Sequence, residues 1–260
     1  MITLLIEPRR LAGGDQSGEG VQPQELRIEG AAYRHLFRAR RLAAGERLRL
    51  VDGEGRARWG EVLQVGRAAA LVGLREAAEA NEPAVRLELL VPTLRPERAA
   101  WLVEKATELG AAGVTFHNSE RAPRAFGGGT LARLRRVAAA AVEQCHRSRC
   151  PEIAGPFPLA DLLRPADARA AAAQADAAPA GLWLLDPMAA VTGFPRSVPG
   201  PAPRTERLLV GPEGGWTAAE LAALHAAGWQ GVSLGPRILR IETAAVAAIA
   251  LLLLPPEHRQ

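Results

Sequence analysis

From residue 84 onward, short apolar runs, several of which stop at Gly or Pro, alternate with segments of helical period, and this alternation constrains the fold of the 260-residue chain more than any other feature. VRLELLVPTL, GVTFHNS, GLWLLDP, RLLVGPEGG and GVSLG read as strands. PERAAWLVEKATELG, LARLRRVAAAAVEQCHRSR, TAAELAALHAAG and ETAAVAAIALLLL read as helices, the first with Pro96 in its opening turn and Gly110 at its end. An alanine-rich stretch over 166–180 is expected to add a further helix. Strands that alternate with helices predict an α/β domain built on a mostly parallel sheet.

The first 75 residues have a different rhythm. LRLVDGEGRARWGEVLQV alternates apolar and polar positions on either side of Asp52-Gly53 and Gly55, a hairpin signal. Tyr33–Arg41 reads as a short basic helix, and the polar, glycine-rich residues 12–24 as a long loop. The expected organisation is a small β-barrel over 1–75, a linker over 76–83 and the α/β domain over 84–260.

Charge separates the same two parts. Residues 1–75 carry 13 Arg against 9 acidic residues, whereas 76–260 carry 18 Arg and one Lys against 19, so the whole net charge of +4 lies in the first part. Arg34, Arg38, Arg40, Arg41, Arg47, Arg49, Arg56 and Arg58 crowd into 25 positions of it. A basic module beside a neutral one suits polyanion docking attached to a catalytic or ligand-binding domain; an ordinary solvated surface is the plainer alternative. The single lysine is Lys105.

Some classes are disfavoured. No apolar run approaches the ~18 residues of a membrane span, and Leu251–Leu254 is stopped by Pro255-Pro256. The opening MITLLIEPRR lacks the pattern of an export signal, so a cytoplasmic location is expected and disulfides are not. Cys145, His146 and Cys150 have the spacing C-H-x3-C, too few ligands for a metal site, so no metal is expected.

Ligands of open parallel sheets bind beyond the carboxyl ends of the strands. Two loops fall at such ends. One is Gly211-Pro212-Glu213-Gly214-Gly215; the other runs Leu234-Gly235-Pro236-Arg237-Ile238-Leu239-Arg240 into Ile241-Glu242-Thr243. Glycines there allow close backbone approach to a ligand and leave N–H groups available at a helix start. The pair is a poor phosphate loop, lacking both GxxxxGK[ST] and GxGxxG. As bare patterns the two loops read first as tight turns after strands.

The wording of these loops resembles a known family. GPEGGW followed by LGPRILRIETAA is similar to the signature of the SPOUT class of methyltransferases, and within it to the RsmE-type 16S rRNA (uracil-1498-N3)-methyltransferases. HLFRARRLAAGE with VDGEG, EKATELGAAGV, SERA and EQCHRSRCPEI occur in the order of that family, so the resemblance spans nearly the whole chain. It implies a PUA-like RNA-binding barrel followed by an α/β SPOUT domain with a C-terminal trefoil knot. It also implies a homodimer that uses S-adenosyl-L-methionine without a metal and acts on 16S rRNA of the small ribosomal subunit, with no membrane partner. Pattern reasoning alone would not propose a knot, because knots are rare.

Residue by residue, the resemblance carries cofactor contact to Leu185, Asp186, Pro187, Gly211, Pro212, Gly214, Leu234, Gly235, Arg237, Ile238, Leu239 and Thr243. It carries RNA contact to His35, Arg38, Arg41, Lys105, Ser119, Glu120, Arg121, Gln144, Arg147 and Arg149. Arginine suits phosphates and stacked bases, while His35 taken alone reads as structural. Uracil N3 is a poor nucleophile while protonated, so the site must take up that proton, stabilise charge on the flanking carbonyls, or both. Arg240 is the candidate for the electrostatic role, and Glu242 or Glu213 for a base or orienting carboxylate. The plainer readings are helix capping for Glu213 and pairing with Arg237 or Arg240 for Glu242.

The chain departs from the family pattern at Asp186, where relatives often have His, and at Arg98, where they often have Lys. APRAFGGG after Arg121 is also off-pattern. The rival readings are another SPOUT RNA methyltransferase, such as a ribose 2′-O enzyme, and a non-catalytic RNA-binding or ribosome-assembly protein.

Overall fold

A computed structural model of the chain describes residues 1–11, 25–122, 126–163, 181–194 and 204–254. The loop expected over 12–24 and the helix expected over 166–180 lie outside them, as does part of the glycine-rich stretch after Arg121. The chain divides into two units, Met1–Glu82 with Ala139–Cys150, and Pro83–Ala138 with Pro151–Gln260.

In the first unit, β1 (Thr3–Leu5), β2 (Glu25–Glu29), β3 (Arg47–Val51), β4 (Ala57–Val65) and β5 (Ala69–Ala77) form a sheet in the order β1-β3-β4-β5-β2. β1 runs parallel to β3, and the other pairs are antiparallel. The expected hairpin is β3–β4. Its turn is organised by buried Asp52, whose Oδ1 accepts from the N–H groups of Glu54 at 2.8 Å and Arg56 at 3.0 Å. Gly53 and Gly55 adopt the positive φ that such a turn needs. β5 continues to Ala77, two residues into the segment expected as linker. Leu26, Ile28, Leu48, Leu50, Val62 and Val72 point inward and bury against Tyr33, Leu36 and Phe37.

Those three residues come from a segment that is not the simple helix expected over Tyr33–Arg41. A helical turn α2 (Gly30–Tyr33), after the short α1 (Pro8–Leu11), widens into a π-helix over Arg34–Ala39. The Arg40 N–H donates to the His35 carbonyl at 3.0 Å, five residues back.

In the second unit, β6 (Val85–Pro92), β7 (Gly113–Asn118), β8 (Glu152–Pro158), β9 (Gly181–Leu185), β10 (Arg204–Val210) and β11 (Gln230–Val232) form a sheet in the order β11-β9-β10-β6-β7-β8. Every pairing in it is parallel, as the strand–helix alternation predicts. Successive side chains point to opposite faces. Leu87, Leu89, Val91, Leu208 and Val210 therefore pack with Leu102, Val103, Ala106, Ala245 and Ile249 of α3 (Pro96–Glu108) and α7 (Ile241–Leu253). Leu90, Leu184 and Leu209 pack on the other face with Leu159 and Leu162 of α5 (Leu159–Leu162) and with Leu224 of α6 (Ala218–Ala226). Trp216 and Trp229 belong to the same cluster.

Pro96 stands at the first turn of α3 as expected, and Gly110 has φ +100° just beyond its end. α4 (Thr130–Cys145) divides between the units after Ala138, a division with no signature in its apolar pattern. β8 was not foreseen, because Gly155 and Pro156 interrupt it. It is an edge strand, where proline is tolerated. A Cβ on Gly155 would lie 2.3 Å from the Phe116 carbonyl oxygen, so close strand approach there requires glycine.

Candidate functional site

β11, β9 and β10 are sheet neighbours, so their carboxyl ends bring three loops to one place. Leu185–Met188, Gly211–Trp216, Leu234, Gly235 and Arg237–Ile241, with Val210, Leu221, Val232 and Ala244, line a cleft of about 680 Å³. That volume lies within the usual ~300–1,000 Å³ range of small-molecule sites.

Local chemistry holds each loop. Asp186 Oδ1 accepts from the Met188 N–H at 2.9 Å, and the Asp186 N–H continues the ladder to the Val232 carbonyl at 3.1 Å. The β11 loop is tied back by the Ser233 N–H to the Val191 carbonyl at 2.8 Å, and Gly235 turns it at φ +106°. The Gly211–Gly215 loop is held by Arg121, whose guanidinium donates to the carbonyls of Gly214 at 2.8 Å and Trp216 at 3.4 Å. A Cβ on Gly211 would sit 2.8 Å from Trp216 Nε1, so glycine lets the backbone lie directly on the indole. That indole N–H is buried and has no hydrogen-bond partner among the described residues.

Two family models match different parts of the chain. Residues 81–253 match an RNA methyltransferase domain family, and residues 28–74 match an RNA methyltransferase PUA domain. The chain is 34% identical over 233 residues to ribosomal RNA small subunit methyltransferase E of Mycobacterium bovis, covering 85% of this chain and 83% of the relative. The chain belongs to the RNA methyltransferase family. The enzyme of the same name from Synechocystis is 28% identical over 220 residues, covering 85% and 70%. A crystal structure of ribosomal RNA small subunit methyltransferase E from Neisseria gonorrhoeae, bound to S-adenosyl methionine, is similar with a TM-score of 0.75 and 25% identity. It covers 96% of this chain and 95% of that one.

In this methyltransferase the cleft gathers Leu185, Asp186, Pro187, Gly211, Pro212, Gly214, Leu234, Gly235, Arg237, Ile238 and Leu239. Thr243 is exposed on α7 and is not among its lining residues. Arg240 lines the cleft from the N-cap position of α7, and Glu213 lines it from the neighbouring loop. Ile238, at the cleft, is 82% exposed although apolar.

Glu242, the other candidate carboxylate, is not among the lining residues and is engaged by Arg98. Arg98 of α3 donates Nε–H to its Oε1 at 3.1 Å and Nη2–H to its Oε2 at 2.5 Å, and reaches Glu213 with Nη1 at 2.5 Å. Burial pushes the Glu242 carboxyl up; the hydrogen bonds from Arg98 and the backbone, with the nearby charges of Arg98 and Arg240, outweigh that and leave it below the usual carboxylate range. The same bonds to Glu242, then Glu213, raise the Arg98 guanidinium. A carboxylate so neutralised is a weak proton acceptor. Glu242 hydrogen-bonds to Arg98, with the charge of Arg240 nearby, and the side-chain cap of α6 is a Thr217–Glu220 box.

His117 carries no sequence signal. It is fully buried on β7 and stacks on Trp216 at 5.6 Å between ring centroids. Its Nε2–H donates to the Val210 carbonyl at 3.1 Å. Burial pushes its pKa down to about 4 against the weaker opposing pull of Val210 and Glu220, so it is a neutral prop behind the cleft.

The residues carried over for RNA contact have mixed fates. His35, Arg38, Arg41, Gln144 and Arg149 are exposed on the first unit. Arg147 is not: it is 3% exposed and holds Glu82, with Nη2 at 2.7 Å from Oε2, so its guanidinium is spent inside the unit. Arg49 of the arginine-rich segment is likewise buried, donating to the His146 carbonyl at 2.6 Å. In the second unit, Lys105 is paired with Glu104 and Glu108, each at 2.8 Å. Ser119 is buried, the Glu120 N–H donates to Glu220 at 2.8 Å, and Arg121 serves the Gly211–Gly215 loop as described. No helix among the described residues is long and apolar enough to cross a membrane, and no group of three or more potential metal ligands occurs among them.

Proposed function

We propose that the chain methylates 16S rRNA of the small ribosomal subunit with S-adenosyl-L-methionine as donor, at N3 of the uridine that is the family's site, U1498. The observation that carries this reading is the convergence of three loops on one cleft at adjacent parallel strand ends. The residues there fit the donor. Leu234, Ile238 and Leu239 offer an apolar slot for adenine, the glycines of both loops allow backbone contact, and the unpartnered Trp216 N–H is a donor awaiting an acceptor.

Bound there, S-adenosylmethionine supplies an electrophilic methyl group on a sulfonium that carries its own positive charge. The chain's task is then to orient the base, exclude water and manage the N3 proton. Arg240, exposed at the cleft, stabilises charge on the uracil carbonyl oxygens. Glu213, held by Arg98, is the carboxylate at the rim that orients the base. Arg98, together with Glu242, holds Glu213 and the start of α7 in position.

The first unit is the RNA-docking part of this reading, a PUA-like barrel within 1–75, and 84–260 is the catalytic part. The C-terminal trefoil knot, a homodimer and a cytoplasmic site of action, where ribosomal RNA is found, belong to the same proposal. The test is mass mapping of nucleosides in small-subunit rRNA from cells lacking the gene. Loss of 3-methyluridine is expected; an unchanged map overturns the substrate, and a lost 2′-O-methyl group would point to the ribose-modifying alternative. Titration calorimetry with S-adenosylmethionine separates both enzymes from a non-catalytic RNA binder.

A further inference from the structure

The first unit has a cleft of its own, about 410 Å³, lined by Ile2, Thr3, His35, Arg40, Gln144 and His146, among others. Its chemistry differs from that of the donor cleft. Its lining includes two imidazoles, a guanidinium, a carboxamide and a carboxylate, with Ile2 and Ala140 as aliphatic members.

The backbone is shaped to build it. In an α-helix, residues five apart face away from each other; the wider π turn returns residue i+5 to nearly the same side. The bond from the Arg40 N–H to the His35 carbonyl is such a turn, and it sets both side chains on the cleft wall. His146, also in the lining, adopts φ +62°, a left-handed conformation that is costly for a non-glycine residue. Three bonds over-determine it. Its Nδ1 bonds the Thr3 hydroxyl at 2.8 Å, and its carbonyl accepts from Arg49 at 2.6 Å and Asn81 at 3.2 Å. Strain held in this way clusters at ligand-contacting positions. Glu143, the one acidic side chain of the lining, accepts from the Leu5 N–H at 2.8 Å, so one of its oxygens is already engaged.

We infer that this cleft takes one unstacked base of single-stranded RNA, with Gln144 reading its hydrogen-bonding edge, the imidazoles of His35 and His146 against its face, and Arg40 on the adjoining phosphate. The inference rests on the RNA-docking reading of the first unit and gives it a place and a mode. A carboxamide pairs with the mixed donor–acceptor edge that every base presents, and flat rings beside arginine are how proteins hold splayed bases. Burial lowers the His146 pKa, assisted by the nearby positive charges of the chain's amino terminus and Arg49, so its ring is neutral and suited to stacking. Exposed Arg34, Arg38 and Arg41 extend the positive surface from Arg40 along the same segment.

The test is fluorescence anisotropy of the full chain with a labelled single-stranded oligoribonucleotide of small-subunit rRNA sequence, at several salt concentrations. Gln144→Leu and His35→Ala are expected to weaken RNA binding about ten-fold each while leaving the slope of log affinity against log salt as it is. Arg40→Ala is expected to reduce that slope by about 0.7, the value for one lost contact to a single-stranded phosphate. Both Gln144 and His35 are exposed, so the variants fold, and unchanged melting curves verify it. Gln144→Leu and His35→Ala proteins that bind within two-fold of the parent overturn the cleft and leave the methyltransferase reading standing. A parent protein that binds S-adenosylmethionine but no RNA overturns the RNA-docking reading itself, and the cleft with it.

Discussion

Arg98 grips Glu242 through two parallel hydrogen bonds, at 3.1 and 2.5 Å, and with its remaining nitrogen reaches Glu213 on another loop. One side chain of α3 thus ties the first turn of α7 to the loop after β10. A planar fork can do this; a single ammonium can hold one carboxylate well but not both in this geometry.

Arg98→Ala should leave Glu242 half-buried without its partner and free the Gly211–Gly215 loop. We expect about a ten-fold loss of S-adenosylmethionine affinity and a lower melting temperature. Arg98→Lys should recover part of both. Calorimetry on the three proteins checks this; an Ala variant with parental affinity removes the brace from the binding argument.

Arg240 lines the cleft but caps α7 only with its backbone. Arg240→Ala should therefore lower kcat by about 10²-fold, the usual cost of one electrostatic contact to developing charge, with the affinity for S-adenosylmethionine altered much less. Single-turnover methylation of rRNA measures the rate. A native rate would take Arg240 out of the mechanism.

Gly211→Ala places a Cβ 2.8 Å from Trp216 Nε1 and 3.0 Å from Cε2. Either the indole or the loop must move, at a cost of about 1–3 kcal/mol. Reduced stability in urea and weakened donor binding should appear together. Gly128, where an added Cβ meets nothing within 4 Å, is the control position.

His117 links stability to pH. Its folded pKa of about 4 lies below the ordinary 6.5, so below pH 6.5 the unfolded chain binds a proton that the folded one refuses. Stability is complete above 6.5 and falls as pH drops towards 4, by at most about 3 kcal/mol. Urea unfolding between pH 7 and pH 5 should show the decline, and His117→Gln should flatten it. A His117→Gln protein with the parental pH profile would assign the decline to other groups.

What could be read from the sequence was what depends on neighbours along the chain. Strands such as β6 and β10 announce themselves by apolar runs, α3 by Pro96 and Gly110, and the β3–β4 turn by Asp52, Gly53 and Gly55. The wording of two loops pointed to residues that the fold brings together in one cleft. Tertiary structure decided everything that joins distant residues. It gave Glu242 to Arg98, 144 positions away. It buried Arg49 and Arg147, which a count of charges places on the surface. It set His117 behind Trp216, and it grouped Ala139–Cys150 with the first unit. The physical reason is that period and turn chemistry are local, whereas burial, ion pairing and pKa depend on which side chains the fold brings within a few ångströms.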